Sequence, residues 1–209
     1  MVLEGQHVRL EPLAERHLAD LLPLVQGPRE TFAITWVPRD EPGLRQYLQL
    51  ALEEQRLGVS LPFATVDRLR GKAVGSTRFM TIDFWAARPG SALARPPGVP
   101  HAVEIGHTWL GPQAQRTALN TEAKLLMLGH ACQRWEVLRV TLKTDARNVR
   151  SRTAIERLGC KLDGVVRAHS PSADGGPRDV ALYSMLAREW PDARARLDAR
   201  LARGSRPAT

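Results

Sequence analysis

The sequence predicts a single domain of the α/β class, in which helices cover both faces of a mixed central sheet of about seven strands. The elements that it indicates run in the order strand, two helices, three strands, helix, strand, helix and two strands. Hairpin-like turns such as "RLRG" (68–71) and "DGG" (174–176) join some neighbouring strands, while helices separate others. A chain of 209 residues with 43% apolar content is long enough to bury a core.

Apolar periodicity predicts each element in turn. "HVRLEPL" alternates as a strand does, and "AERHLADLLPLVQ" places its leucines at helical spacing, although Pro23 should bend that helix. The strands are expected at 7–13, 61–67, 72–84, 102–110, 137–145, 160–170 and 178–186. The helices are expected at 14–26, 41–58, 120–135, 148–159 and 188–201. The buried stripe of the third helix is expected to consist of Leu125, Leu128, Cys132 and Trp135.

The segment 85–101 is expected to be a surface loop inside one domain. It holds four prolines and two glycines, but the strands on either side look like parts of one sheet. Residues 1–201 should therefore form a single domain, followed by a disordered tail at 202–209.

Charge and composition narrow the classes of function. The net charge of +8 favours an anionic partner, namely nucleic acid, an acidic protein surface or a phosphorylated cofactor. Two cysteines and six scattered histidines predict neither a disulfide framework nor a metal site. The amino terminus does not resemble a signal peptide, and no apolar run of about 18 residues predicts a membrane span. We therefore expect a soluble cytoplasmic protein.

The stretch "GPQAQRTALNTEAKLLMLGHA" (111–131) is a polar loop that runs into a helix start. Unpaired amides at a helix N-terminus and the helix dipole together stabilise a bound anion. Residues 111–160 carry nine Lys or Arg and four Asp or Glu, a net charge of +5. The stretch therefore predicts an anion site, although it lacks the usual glycines.

Glu104, in the strand "AVEIGHTWL", is the best candidate for a general base. Alternation predicts that Glu104, Gly106, Thr108 and Leu110 share one face of the strand. A carboxylate between apolar residues on a central strand is costly unless it is paired or used. His107 is a second base candidate, on the opposite face.

From "EIGHTWL" to "ERLGCKLDG" the sequence resembles the GNAT superfamily of acyl-CoA-dependent N-acetyltransferases. More narrowly, it looks like the branch of bacterial ribosomal-protein N-terminal-alanine acetyltransferases. The resemblance is strongest over 102–186 and extends more weakly to "GQHVRLEPLAERHLADLL" near the amino terminus. It implies the fold of that family, acetyl-CoA as co-substrate without a metal, and transfer of the acetyl group to a primary amine, with a protein N-terminus favoured.

The resemblance also implies where acetyl-CoA would bind. The family signature is Gln or Arg, two residues, Gly, one residue, then Gly or Ala; it aligns here with Gln115, Ala118 and Asn120, so both glycine positions are substituted. Alanine donates the same N–H as glycine, provided that the backbone does not need a positive φ. The implied cofactor-binding residues are Trp109, Leu110, Gln115, Arg116, Thr117, Ala118, Leu119, Asn120, Thr121, Asn148 and Arg152.

For catalysis, the resemblance implies direct attack of the amine on the thioester. Glu104 would accept the amine proton, and backbone N–H groups near Trp109 and Leu110 would stabilise charge on the thioester oxygen. Ile155 stands where many members carry a tyrosine that protonates the thiolate, so Ser151 is the best replacement. Tyr183 is a more distant alternative.

Plainer interpretations stay open for these residues. Asn120 and Asn148 could be ordinary helix caps, and Gln115 and Arg116 could be solvated. Glu104 could be a buried carboxylate bonded to a neighbouring arginine.

Alternative functions also stay open. The acceptor could be a small amine such as an aminoglycoside or a polyamine, although loop 85–101 has no acidic residue to attract a polycation. A non-catalytic protein that binds acyl-CoA or, less favoured, nucleic acid is the other alternative. An exposed final strand or helix is a candidate surface for a homodimer.

Overall fold

The computed structural model describes residues 1–204, within which eight strands form one mixed sheet. The strands are β1 Leu3–Glu4, β2 Val8–Pro12, β3 Ser60–Asp67, β4 Lys72–Asp83, β5 Ala102–Leu110, β6 Arg139–Asp145, β7 Lys161–Pro171 and β8 Pro177–Leu186. Their order in the sheet is β1-β2-β3-β4-β5-β6-β8-β7, and β5 and β6 are the one parallel pair between these strands. The predicted fold class is confirmed, and the two-residue β1 accounts for the strand beyond seven.

Five α-helices accompany the sheet over the same residues. They are α1 Leu18–Gln26, α2 Glu41–Arg56, α3 Ala118–Gln133, α4 Val149–Arg157 and α5 Trp190–Gly204. The helix α1 continues through Pro23, after a 3₁₀ turn at Glu15–His17. Since α5 is helical as far as Gly204, residues 202–204 are not the disordered segment that the sequence predicts. The rest of that predicted tail, 205–209, lies outside the described residues.

Two apolar clusters, one on each face of the sheet, hold the helices in place. The first, which we call the α1–α2 cluster, packs side chains of α1 and α2, such as Leu21 and Leu44, against the sheet. The second, which we call the α3 cluster, packs α3, α4 and α5 against the other face, with Met127, Ile155 and Leu197 among its members. The loop 85–101 connects β4 and β5, which pair directly as antiparallel strands. It therefore joins two neighbouring strands of the same sheet.

The buried face of α3 differs from the predicted stripe. Of the four residues predicted, only Leu128 is fully buried; Leu125, Cys132 and Trp135 are partly exposed. The buried residues of the helix are Leu119, Glu122, Ala123, Lys124, Met127, Leu128 and Ala131. Two of these are charged, and an apolar pattern cannot detect a buried face that includes charged residues.

Glu122 anchors α3 to the amino-terminal hairpin. Its carboxylate accepts hydrogen bonds from the backbone N–H groups of Gln6, His7 and Val8 at 2.7–2.8 Å. Gly5 permits this contact, because a Cβ atom there would lie 2.4 Å from the Glu122 carboxyl carbon. The hairpin and α3 therefore form one unit.

The cysteines behave as packing residues, as predicted. Both are free thiols, with Cys160 buried and Cys132 partly buried. Burial raises the pKa of Cys132 to about 11 and that of Cys160 to about 12. Neither is therefore a reactive thiolate near neutral pH.

Candidate active site

The parallel strands β5 and β6 separate halfway along their length. Their pairing ends at Glu104 and Thr141, yet β5 continues to Leu110 and β6 to Asp145. A V-shaped cleft therefore opens between the carboxyl halves of the two strands, with Glu104 at its narrow end. Because α3 follows β5 and α4 follows β6, both helices begin at the wide end of the cleft.

A β-bulge in β5 redirects the strand where the cleft opens. His107 and Thr108 both lie opposite Thr77 of β4, and His107 has a left-handed φ of 47°. Beyond the bulge, Trp109 packs with the α1–α2 cluster and Leu110 with the α3 cluster. The predicted alternation of β5 is therefore wrong after Gly106, because one extra residue reverses which face each side chain occupies.

Glu104 lies on the sheet face opposite α3, since its neighbours Val103 and Ile105 pack in the α3 cluster. The residue is 6% exposed. Its Oε2 atom lies 2.8 Å from Lys143 Nζ and accepts a longer hydrogen bond of 3.4 Å from the hydroxyl of Thr81. The carboxylate is thus paired with a cation, as the plainer interpretation expects, but the cation is a lysine.

A cavity of about 210 Å³ lies beside Glu104. Its lining includes the carboxylates of Asp83, Glu104 and Asp163 together with the cations of Arg139 and Lys143. Of these five residues, only Glu104 was predicted from the sequence. A signal for the β6 residues was present, because the odd positions from 139 to 143 are polar and the even ones are apolar.

The helix α3 begins at Ala118, two residues earlier than predicted. Thr117 is its N-cap, and the Thr117 hydroxyl accepts a hydrogen bond of 3.3 Å from the Leu119 N–H. Asn120 is therefore the third helical residue, and the prediction that it caps the helix is wrong. Among the described residues, the left-handed φ values include 60° at Arg116, but neither Ala118 nor Asn120 has one.

The electrostatic setting at the wide end of the cleft is positive. The first turns of α3 and α4 contain no acidic residue, so their amides and dipoles are not neutralised there. Arg116 is exposed directly before α3, and Arg150 lies in the first turn of α4. This setting can stabilise a bound anion.

Gln115 links three segments across the wide end of the cleft. Its Nε2 atom donates to the Leu110 carbonyl at 2.8 Å and to the Thr31 hydroxyl at 3.1 Å. Its Oε1 atom accepts a hydrogen bond of 3.3 Å from Arg150, which also donates to the Thr31 carbonyl. We call this set the Gln115 bridge; its Arg150 and Thr31 members were not predicted from the sequence.

Asn148 caps α4, because its side chain accepts a 3.0 Å hydrogen bond from the Ser151 N–H. Asn148 is therefore a helix cap, as its plainer interpretation expects. Ser151 lies in the first turn of the helix and is partly exposed.

Arg152 forms hydrogen bonds with Tyr183 and with the Ala146 carbonyl. Its Nε atom donates to the hydroxyl of Tyr183 at 3.0 Å, and that hydroxyl donates to Glu156 at 2.9 Å. Tyr183 is wholly buried, and burial raises the pKa of its phenol. Both partners of Tyr183 lie on α4, and Ile155 next to Glu156 is buried in the α3 cluster.

His107, the second base candidate, lies in the bulge itself. Loss of solvent around the ring, with a further contribution from Arg78, lowers its pKa to about 4. The imidazole is therefore neutral near pH 7, but it is a weaker base than an unperturbed histidine.

Comparison with known proteins assigns the family. The family model described as an acetyltransferase (GNAT) domain matches residues 7–161. The chain belongs to the GNAT acetyltransferases. It is therefore an N-acetyltransferase, as the resemblance predicted. The search of curated proteins gave no match.

Solved structures resemble this GNAT chain over most of its length. A T. thermophilus protein named as an acetyltransferase is 33% identical, with a TM-score of 0.75 and coverage of 96% of each chain. A GCN5-related N-acetyltransferase from Brucella melitensis is 27% identical, with a TM-score of 0.82, and covers 100% of this chain and 91% of its own. Mycobacterium smegmatis RimJ in complex with CoA-disulfide is 21% identical, with a TM-score of 0.74 and coverage of 92% and 88%. RimJ thus shares the fold of this chain.

Gln115 occupies the first signature position and forms the bridge, while Ala118 and Asn120 lie in the first turn of α3 at ordinary helical φ. The substituted glycine positions therefore do not require the backbone freedom of glycine.

Two further properties concern the part of this GNAT chain that the structure describes. No helix between residues 1 and 204 is long and apolar enough to span a bilayer. Over the same range, His, Cys, Asp and Glu side chains form no group of three that could hold a metal ion.

Proposed function

We propose that this chain transfers the acetyl group of acetyl-CoA to a primary amine, and that a protein N-terminus is the favoured acceptor. The observation that carries the proposal is the V-shaped cleft, with a buried carboxylate at its narrow end and two helix N-termini at its wide end. Such a cleft provides separate places for an anionic carrier and for a proton acceptor.

Acetyl-CoA suits the wide end of the cleft. Arg116 and the amides at the start of α3 would provide donors for a diphosphate, because the first turn has no acidic residue. The N–H groups of Gln115 and Leu119 already donate to the Pro112 carbonyl and the Thr117 hydroxyl. Asn148, as the α4 cap, keeps amide atoms that are free to reach the pantetheine arm. Arg152 would have to leave Tyr183 to reach a phosphate. When bound, acetyl-CoA supplies an acetyl group activated as a thioester.

The residues at the narrow end would handle the proton of the amine. Glu104 would accept a proton from the acceptor ammonium, directly or through water, and Lys143 would stabilise the carboxylate before transfer. Holding amine and thioester together supplies much of the acceleration, because proximity replaces a bimolecular encounter. N–H groups near Trp109 and Leu110 would stabilise charge on the thioester oxygen, and Ser151 would donate a hydrogen bond to the departing sulfur.

A small cationic amine is the second candidate acceptor, and a specific observation favours it. The cavity beside Glu104 has three carboxylates against two cations, and Lys143 already pairs with Glu104. Asp83 and Asp163 therefore give the cavity a local negative charge. Loop 85–101, in contrast, has no acidic residue that could attract a cationic amine.

The test measures binding first and turnover second. Calorimetry at low ionic strength should detect binding of acetyl-CoA. Release of CoA should then be followed with peptides that begin with Ala or Ser, and with a polyamine. Peptide turnover supports the favoured acceptor and polyamine turnover the second candidate. Binding without turnover supports a non-catalytic acyl-CoA-binding protein, and absence of binding contradicts the proposal.

Variants then test the assigned roles. Glu104→Gln and Ser151→Ala should each lower turnover by tens-fold or more. Glu122→Gln is the matched control, because it changes a buried carboxylate outside the cleft and should leave turnover per folded molecule unchanged. Wild-type rates in both cleft variants would contradict the assignment of Glu104 and Ser151.

A further inference from the structure

Lys124 is a buried lysine that the proposed chemistry does not use. It lies on α3, faces the sheet and is 4% exposed. Its Nζ atom donates to the hydroxyls of Thr77 at 2.8 Å and Thr108 at 2.7 Å, and these hydroxyls lie 2.8 Å apart. Among the ion pairs of residues 1–204, none includes Lys124.

The position of this lysine in the fold makes it more than a core residue. Thr77 and Thr108 are the residues of β4 and β5 that meet at the bulge. Lys124 therefore ties α3 to the point at which β5 turns away from β6. The same helix provides the proposed diphosphate site at its N-terminus, two turns before Lys124.

The hydrogen-bonding pattern fits an uncharged amine. Lysine as an ammonium ion has three N–H donors, whereas the neutral amine has two, which matches the two hydroxyl acceptors. Burial lowers the pKa of Lys124 to about 7, so the neutral form is well populated near physiological pH. A neutral link is compatible with the apolar side chain of Met127, whose Sδ atom lies 3.8 Å from the Thr77 hydroxyl.

We propose that Lys124 is a positioning residue that fixes the bulge of β5 relative to the N-terminus of α3. Its contact with Thr108 sets the distance between the site for the diphosphate and the N–H groups near Trp109 that would receive the thioester. This role rests on the proposed function, because it concerns how one extended acyl-CoA molecule engages two parts of the cleft at once.

The decisive experiment compares a long ligand with a short one. Acetyl-CoA would span both parts of the cleft, whereas ADP carries a diphosphate without the pantetheine arm and would engage only the start of α3. Lys124→Met should weaken acetyl-CoA binding about tenfold, which corresponds to ~1.4 kcal/mol, while ADP binding stays within twofold. A general loss of folded protein would lower both affinities by the same factor.

A second set of variants protects the test against misfolding. Thr108→Val removes the hydroxyl with little change in shape and should reproduce the selective loss, whereas Thr108→Ser keeps the hydroxyl and should restore acetyl-CoA binding. Glu122→Gln, a buried α3 variant that affects the amino-terminal hairpin, should leave the ratio of the two affinities unchanged.

The outcomes separate the two proposals. If the wild-type chain does not bind acetyl-CoA, the proposed function fails. If the wild type binds, but Lys124→Met and Thr108→Val bind acetyl-CoA and ADP in the wild-type ratio, the positioning role of Lys124 is refuted. An equal loss of both affinities in these variants also refutes it, because Lys124 would then act only on the stability of α3.

Discussion

Replacing Lys124 should remove a large pH dependence of stability. Burial lowers the pKa of this lysine from 10.5 to about 7. Between these two values the unfolded chain binds a proton that the folded chain does not, so the free energy of unfolding rises with pH. Below pH 7 both states are protonated, and the full cost of the buried charge is present.

The magnitude follows from the size of the shift. Each pKa unit corresponds to about 1.4 kcal/mol, so the whole shift is worth roughly 4–5 kcal/mol. Only part of this change in the free energy of unfolding occurs in the pH range in which urea unfolding is readily measured. Between pH 6.5 and pH 9, the stability of the wild type relative to Lys124→Met should increase by about 2–3 kcal/mol.

Urea unfolding of both proteins at several pH values measures this difference directly. Subtracting the two curves cancels the groups that they share, including Cys132 and Cys160, which titrate at higher pH. Lys72→Met is the matched control, because it also removes one lysine but from an exposed site at the start of β4. A difference between wild type and Lys124→Met that stays flat from pH 6.5 to pH 9 would refute the burial argument.

Three further changes have defined outcomes. Gly5→Ala should lower the midpoint of urea unfolding by an amount equivalent to about 2 kcal/mol, because its Cβ would displace the Glu122 carboxylate; an unchanged midpoint would contradict the anchoring role. The hydrogen bond from His17 lowers the pKa of Glu11 to about 2, so the ionised Glu11 stabilises the fold above pH 4.5. In acid unfolding, the free energy of unfolding of the wild type should exceed that of Glu11→Gln by up to about 3 kcal/mol at pH 4.5, and this difference should disappear as the pH falls to 2. Arg150→Ala removes a cation from the wide end of the cleft and should slow acetyl-CoA association in stopped-flow measurements at low ionic strength; an unchanged rate would show that Arg150 does not attract the anion.

Most of the fold could be predicted because its elements have strong local signals. The helix α2 begins with an Asp40 cap, has a proline in its first turn and an apolar stripe, so its limits differ from the prediction by two residues or fewer. Hairpin-like turns between some strands and helices between others predicted a mixed sheet, in which β5 and β6, separated by α3, form the parallel pair. These features are set by residues near each other in sequence.

The active-site details were harder to predict because they depend on contacts between distant segments. One extra residue in β5 leaves no mark in an alternating pattern, yet it reverses the faces of Trp109 and Leu110. From the sequence alone, Lys124 and Glu122 look like solvated charges, because the strands and the hairpin that bury them are distant in the chain. Lys143 as the partner of Glu104 likewise follows only from the pairing of β5 with β6.

The substituted glycines of the signature can be understood from the backbone. Glycine is needed where φ is positive or where a Cβ atom would collide, and a left-handed φ occurs in this loop at Arg116, two residues before Ala118. Because Ala118 and Asn120 are already helical, their backbones can present the same N–H groups to an anion that glycines would. What these substitutions change is the space next to the helix start, since two side chains now stand where hydrogens would be. A diphosphate at this site would therefore depend more on Arg116 and the helix dipole, and less on close contact with the backbone.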